Sequence, residues 1–343
     1  MESERIMGPP HIRVAVLCGS DSQSQIAWDH TATIGTWNCD SWRLLDLAGV
    51  PWRRVQFGPR YFQQPRRWDL ARFDVAMSIV TDPDRDPVTL AVTERALAGH
   101  RLPLINPPVI VRGITRDGVA ARLTGIDGLV VPRTIRLTAP TRDQLRRRLT
   151  ERPFRFPGLL RIAGTQIGET LRRVERIEEV EAICDGRPRT YILTEFVDFR
   201  SPDGLYRKTR FFFVGERIII RHRIVSTSWN IHSGSRDGVM VGNAALAEEE
   251  DAFIAAGPAG LSPPLQRALR AVRGRIGLHY FGMDCALLPS GELLLFEANP
   301  TMNVLNADAA LPTSPTQREA CLAIAHALAE LVRASPMATG AGG

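Results

Sequence analysis

The sequence predicts a mixed α/β and α+β protein: an N-terminal parallel α/β domain, then two further blocks of strands and helices. Three observations predict it. Apolar strands alternate with helices up to about residue 112, the pattern of a parallel sheet. Beyond that point strands come in neighbouring pairs joined by short turns, as at 206–214 and 217–224 around Gly215-Glu216. A last hairpin is written over 281–303, with Pro289-Ser290-Gly291 as its turn.

In chain order, 11–19 is a buried strand that ends in Gly19-Ser20-Asp21. Residues 40–50 are helical, with Trp42, Leu45 and Leu47 near one side before Gly49. A strand over 74–80 precedes a helix over 87–98, and Leu104-Ile-Asn-Pro-Pro108 is a short strand stopped by prolines. The second block has a helix at 117–123, a strand entered through 128–134, a helix at 142–149 and a strand at 156–162. A loop at 163–169, a helix at 174–184 and a strand at 190–194 complete it. In the third block 235–242 reads as a loop, and 245–254 and 262–276 as helices. Ser314-Pro315 has N-cap and N1 character, so a helix should run over 315–334 with Cys321, Ile324, Leu328 and Leu331 on its apolar side. The expected division is 1–112, 113–194 and 195–334, with 335–343 a disordered tail.

The chain has 343 residues, enough for two or three packed lobes. An apolar share of 44% and a charged share of 23% are ordinary for a soluble protein. No apolar run reaches the roughly 18 residues of a membrane span, and Met1–Pro10 holds no apolar signal core. The expectation is a cytoplasmic enzyme with no membrane partner. Five scattered cysteines without a CxxC pair suggest neither a zinc site nor a disulfide framework. The net charge of +6 permits an anionic substrate or nucleic acid. Acidic residues are interleaved, however, and no aromatic-studded basic platform is present, so no nucleic acid is expected. Arg146-Arg147-Arg148 reads as a solvated helix face. Lys208 is the only lysine.

The chemistry-bearing residues cluster late. Glu297 and Asn299 are two apart, so they share a strand face, and Asp284 lies on the preceding strand. Acidic groups between apolar flanks are costly unless paired or metal-bound, and three hard oxygens suit Mg²⁺. A hairpin with these residues on its solvated edge is the plainer alternative. Upstream, Arg161 ends a strand beside Ala163-Gly164-Thr165-Gln166-Ile167-Gly168, where backbone amides can help to hold phosphate. An ordinary turn is the alternative there. Lys208 and Arg210 share one strand face. Arg221 and Arg223 lie together on the next strand, Arg221 by itself reading as a member of a salt-bridged surface.

Taken in order, these features resemble the ATP-grasp superfamily, and most of all its branch of glutathione synthetases and ribosomal-protein glutamate ligases. Ile105-Asn-Pro-Pro108 followed by Val131-Pro132 resembles the entry to the first ATP lobe. Phe156–Arg161 with Gly164, Gln166 and Gly168 resembles the phosphate-covering strand and loop. Glu195-Phe196-Val197-Asp198 resembles the hinge whose backbone holds adenine. Glu297-Ala-Asn-Pro300 is similar to the superfamily's Glu-x-Asn ending. The resemblance implies the ATP-grasp fold, an N-terminal parallel α/β domain followed by two α+β lobes enclosing ATP, with ATP as cofactor and one or two Mg²⁺ ions, or Mn²⁺, on Asp284, Glu297 and Asn299. It implies Arg116 and Arg161 on the nucleotide phosphates, where lysines are usual; arginine keeps the charge but is larger and bidentate. Arg210 and Arg223 would steady the phosphoryl group and the acid, and Asn230 and His232 would orient the substrate. The implied reaction joins a small-molecule or peptide carboxylate to an amine through an acylphosphate, and related enzymes are often homodimers. A nucleotide-binding protein that has lost its ligase activity is the alternative.

Overall fold

The computed structural model describes residues 12–22, 39–64, 67–151, 153–165, 168, 170–184, 186–306 and 310–340. The first sheet is parallel throughout, in the order β2-β1-β3-β4. Its strands are β1 (Val14–Cys18), β2 (Trp52–Gln56), β3 (Val75–Ser78) and β4 (Leu104–Ile105). β1 and β3 are buried along their whole length. That explains their unbroken apolar runs, because helices and other lobes cover both faces of a parallel sheet. Helices α1 (Ser41–Leu47) and α2 (Pro87–Leu97) flank it, and the short α3 (Pro108–Val111) follows. Gly19 follows β1 where a Cβ would stand 2.1 Å from the carbonyl oxygen of Phe57, so only glycine fits.

The chain then enters the large lobe first. α4 (Arg116–Leu123) packs in one apolar cluster with α9 (Pro263–Ile276), and β5 (Leu129–Val130) runs parallel to β13 (Leu293–Asn299). The small-lobe sheet itself is β6-β9-β7-β8, antiparallel. It comprises β6 (Thr134–Thr138), β7 (Gly158–Ile162), β8 (Arg172–Val174) and β9 (Thr190–Glu195). α5 (Arg142–Glu151) and α6 (Ile177–Cys184) cover it, burying Leu145, Leu149 and Val180. Residues 172–174 are therefore strand, and the helix expected from 174 starts at Ile177. The Arg146–Arg148 side of α5 is exposed.

The large sheet is β11-β10-β12-β13-β5. β10 (Tyr206–Val214) and β11 (Arg217–Ser226) form one hairpin, and β12 (Tyr280–Leu287) and β13 form the other. α8 (Ala244–Ala256) packs behind it. The segment read as a loop at 235–242 contains the helical turn α7 (Arg236–Val239). Arg236 donates to both oxygens of buried Glu250, and that pair anchors the turn. α10 (Pro315–Gly340) buries Cys321, Ile324 and Leu328 against α1, β10 and β11. It passes the end expected at 334, so the expected tail is helical through 340; residues 341–343 lie outside the described residues. Ala334 and Ala338 favour helix, and the Ser335 hydroxyl donates to the Leu331 carbonyl. All five cysteines are free and buried. No helix among the described residues is long and apolar enough to cross a membrane.

Candidate functional site

The two α+β lobes enclose a cleft of about 890 Å³. β12 and β13 form its floor, and their register puts Asp284 opposite Glu297 and Gly282 opposite Asn299. Strand pairing thus brings the three expected oxygen donors together. Asp284 is 1% exposed. Arg210, its cross-strand partner on β10, donates to both of its oxygens at 2.6 and 2.9 Å, and the Lys208 ammonium stands 3.1 Å away. Burial pushes this carboxyl up, but the charges of Arg210 and Lys208 overrule it and hold it well below the usual range. Glu297 is bound by Arg116 at 2.5 Å and accepts from Asn299 Nδ2 at 3.3 Å. Burial again works against its ionisation, and the charges of Arg116, Arg161 and Arg210 together outweigh it. Asn299 Oδ1 accepts the amide of Thr301. No group of three or more His, Cys, Asp or Glu side chains suited to a metal exists among the described residues, so these two carboxylates stand with an amide alone.

Arg161, at the end of β7, is 9% exposed and donates to the Thr165 carbonyl within its own loop, while its Nε has no partner. Burial first, and the charge of Arg116 second, push the guanidinium down to about 10. It still carries its proton at neutral pH, and both effects would be relieved by an anion. Gly164 and Gly168 have φ of 74° and 73°, the left-handed region that glycine enters without strain. Gly164 lies against the Asp84 backbone, and Gly168 faces Asn230, 3.5 Å from where its Cβ would be. Gly164 thus meets the N-terminal domain, and Gly168 meets the wall that carries Asn230. Gln166, named with this loop, lies outside the described residues.

At the end of β9, Glu195 and Phe196 give their amides to the carbonyls of Arg133 and Pro157, and the Glu195 carboxylate accepts from the Arg155 amide. Glu195, Phe196 and Val197 line the cleft. Asp198 does not; its carboxylate accepts from the Arg200 amide. Phe196 meets Trp229 edge-on at 5.6 Å, with the Arg173 guanidinium 4.6 Å from its ring. Asn230 and His232 line the opposite wall.

Arg223 is not brought to the cleft. Its guanidinium lies 4.3 Å from the Phe253 ring and 3.6 Å from Glu249, on the α8 side of the sheet. The reason is a register shift in the β10–β11 pairing: Arg210 faces His222, Phe211 faces Ile220, and Arg221 is the extra residue. One inserted residue reverses the alternation beyond it. Arg221 and His222 take the cleft side instead. Arg221 had been the less favoured of the pair, and nothing in the residue types marks the shift. Lys208 had a signal, as the only lysine of an arginine-rich chain.

No protein-family model matches the chain, and no curated protein sequence matches it. Solved structures do. The D-alanine--D-alanine ligase of Bacillus anthracis superposes with a TM-score of 0.52 at 12% identity, covering 97% of this chain and 100% of that one. The VanG D-Ala:D-Ser ligase of Enterococcus faecalis gives 0.52 at 11% identity, over 94% and 99%. An ATP-grasp RimK domain protein of Sphaerobacter thermophilus gives 0.50 at 18% identity, over 93% and 99%. The chain has the ATP-grasp fold, along its whole described length.

Proposed function

We propose that this protein is an ATP-dependent carboxylate–amine ligase that makes an amide or peptide bond through an acylphosphate and releases ADP and phosphate. The observation that carries the reading is a pair of ionised carboxylates on adjacent strands, Asp284 and Glu297, ringed by Arg116, Arg161, Lys208 and Arg210. Seven cationic side chains and three carboxylates line the cleft. That excess asks for a polyanion. Two of the structural relatives are named as ligases, which supports the same reading.

The donor set fits Mg²⁺, with Mn²⁺ as substitute: two carboxylates kept ionised and one amide oxygen, all hard ligands. Asp284, Glu297 and Asn299 would hold it. When bound, the metal supplies charge to the β- and γ-phosphate oxygens. Arg116 and Arg161 bind nucleotide phosphate, and each then leaves a protein partner for a better one. The backbone of 195–197 binds adenine; the Val197 amide, without a partner among the described residues, is the free donor there. Arg210 steadies the transferring phosphoryl group and the reacting carboxylate. An oxygen of the acid bonds the γ-phosphorus as the bridging P–O bond breaks and ADP leaves. The amine nitrogen then bonds the acyl carbon, phosphate departs and the nitrogen gives up a proton. Asn230 and His232 orient the substrate. Such chemistry needs positioning and charge, with no covalent nucleophile from the protein.

Glu297→Ala tests this. ADP release should fall about a hundredfold or more while the fold is kept, and unchanged turnover sinks the metal role of Glu297. One observation favours a second reading, a nucleotide-binding protein without ligase activity: both oxygens of Asp284 are already engaged by Arg210 and Lys208. Mg·ATP binding without ADP release under any acid–amine pair is its signature.

A further inference from the structure

Three arginines around the cleft have a carboxylate partner. Arg116 has Glu297, Arg210 has Asp284, and Arg236 has Glu250. Arg161 and Arg221 make no ion pair among the described residues, although both are more than nine-tenths buried. Arg161 lies at the nucleotide end. Arg221 lies elsewhere, under the segment that leaves the metal hairpin. Its Nε donates to the Val304 carbonyl, its Nη2 stands 3.5 Å from Asn306 Oδ1, and its Nη1 has no partner. The neighbouring His222 also lines the cleft, and its Nε2 is buried without a partner. Burial and the charges of Arg210, Arg221 and Arg236 keep His222 well below its ordinary value, hence neutral and able to donate one N–H.

A buried guanidinium without a counter-charge is expensive unless a ligand supplies one. Val304 and Asn306 fix the orientation of this one, and its buried Nη1, left without a partner, is the donor it has for a ligand in the cleft that Arg221 and His222 line. We infer that Arg221 and His222 form a carboxylate subsite, so that the acid substrate carries a second negative group besides the one that is activated: a small dicarboxylate or an acidic amino acid. The inference rests on the ligase reading and names its substrate class. The β-bulge creates the subsite, because it is what turns Arg221 inward.

The test is calorimetry on the full chain with a non-hydrolysable ATP analogue and Mg²⁺, using matched probes: succinate against butyrate, L-glutamate against L-glutamine, L-aspartate against L-asparagine. At least one dicarboxylate should bind ten times or more tighter than its partner. The preference should collapse in Arg221→Gln and persist in Arg221→Lys, with both variants checked for a wild-type melting transition. If Arg221→Gln does not fold, the wild-type ratios and Arg221→Lys decide. No probe bound better than its monocarboxylate partner, or a preference that survives Arg221→Gln, overturns the subsite. Failure of the ligase reading looks different: the dicarboxylate preference holds, yet no ADP is released with any amine.

Discussion

At the scale of single residues, Asp284 shows how burial and chemistry are tied. A nearly inaccessible carboxylate is tolerated because Arg210 and Lys208 meet both of its oxygens. Removing one partner of such a pair leaves an unmatched buried charge, so Arg210→Met should lower unfolding free energy by about 3–5 kcal/mol, read from urea denaturation. The pH dependence follows with a definite sign. Asp284 and Glu297 have folded values lowered from the ordinary carboxylate range of about 4. Their stabilisation is complete above that range and is lost as pH falls below it toward the lowered values. Urea midpoints measured from pH 7 to pH 3 should decline, and Asp284→Asn should flatten the decline. An unchanged slope would remove Asp284 from the account. The spacing of Glu297 and Asn299, and Asp284 as their cross-strand neighbour, were legible in the sequence because strand alternation has a fixed period. The cationic cage was legible only in part, since Arg116 and Lys208 come from distant segments whose meeting depends on the tertiary fold.

At the scale of elements, strands and long helices followed from apolar pattern and capping, as with Ser314-Pro315 at the start of α10 and the turn of the final hairpin. What escaped was one residue of register. A β-bulge leaves no mark in residue type, yet it sends Arg223 to the back of the sheet and Arg221 to the front. This makes a prediction at the same scale. Arg223→Met should cost about 1 kcal/mol through its lost contact with Phe253 and leave Mg·ATP turnover close to wild type, as measured by steady-state ADP release. A hundredfold loss would restore Arg223 to the site and refute the register. The turn α7 escaped for a related reason: Arg236–Val239 is held by Glu250, fourteen residues on, and no local periodicity marks it.

At the scale of the whole molecule, the cleft is made by separate parts held against one another. Arg136 of β6 pairs with Asp84 of the N-terminal domain and with Asp117 of α4. Asp40 accepts the amides of Val304 and Leu305, tying the N-terminal domain to the segment after the β12–β13 hairpin. Nucleotide between these parts should therefore stabilise all of them together. At a hundred times its dissociation constant, Mg·ATP analogue should add about 2.7 kcal/mol to unfolding, seen as one cooperative shift of the melting transition. The order of blocks along the chain gave this architecture away, while the early entry of α4 and β5 into the large lobe did not, because a two-residue parallel strand carries too little pattern.

The central claim is tested most directly by incubating the protein with Mg·ATP over a panel of acids and amines and recording ADP and product mass together. The account predicts ADP in equal amount to a product weighing the acid plus the amine less one water. AMP and pyrophosphate in place of ADP, or bound nucleotide with no product from any pair, would contradict it.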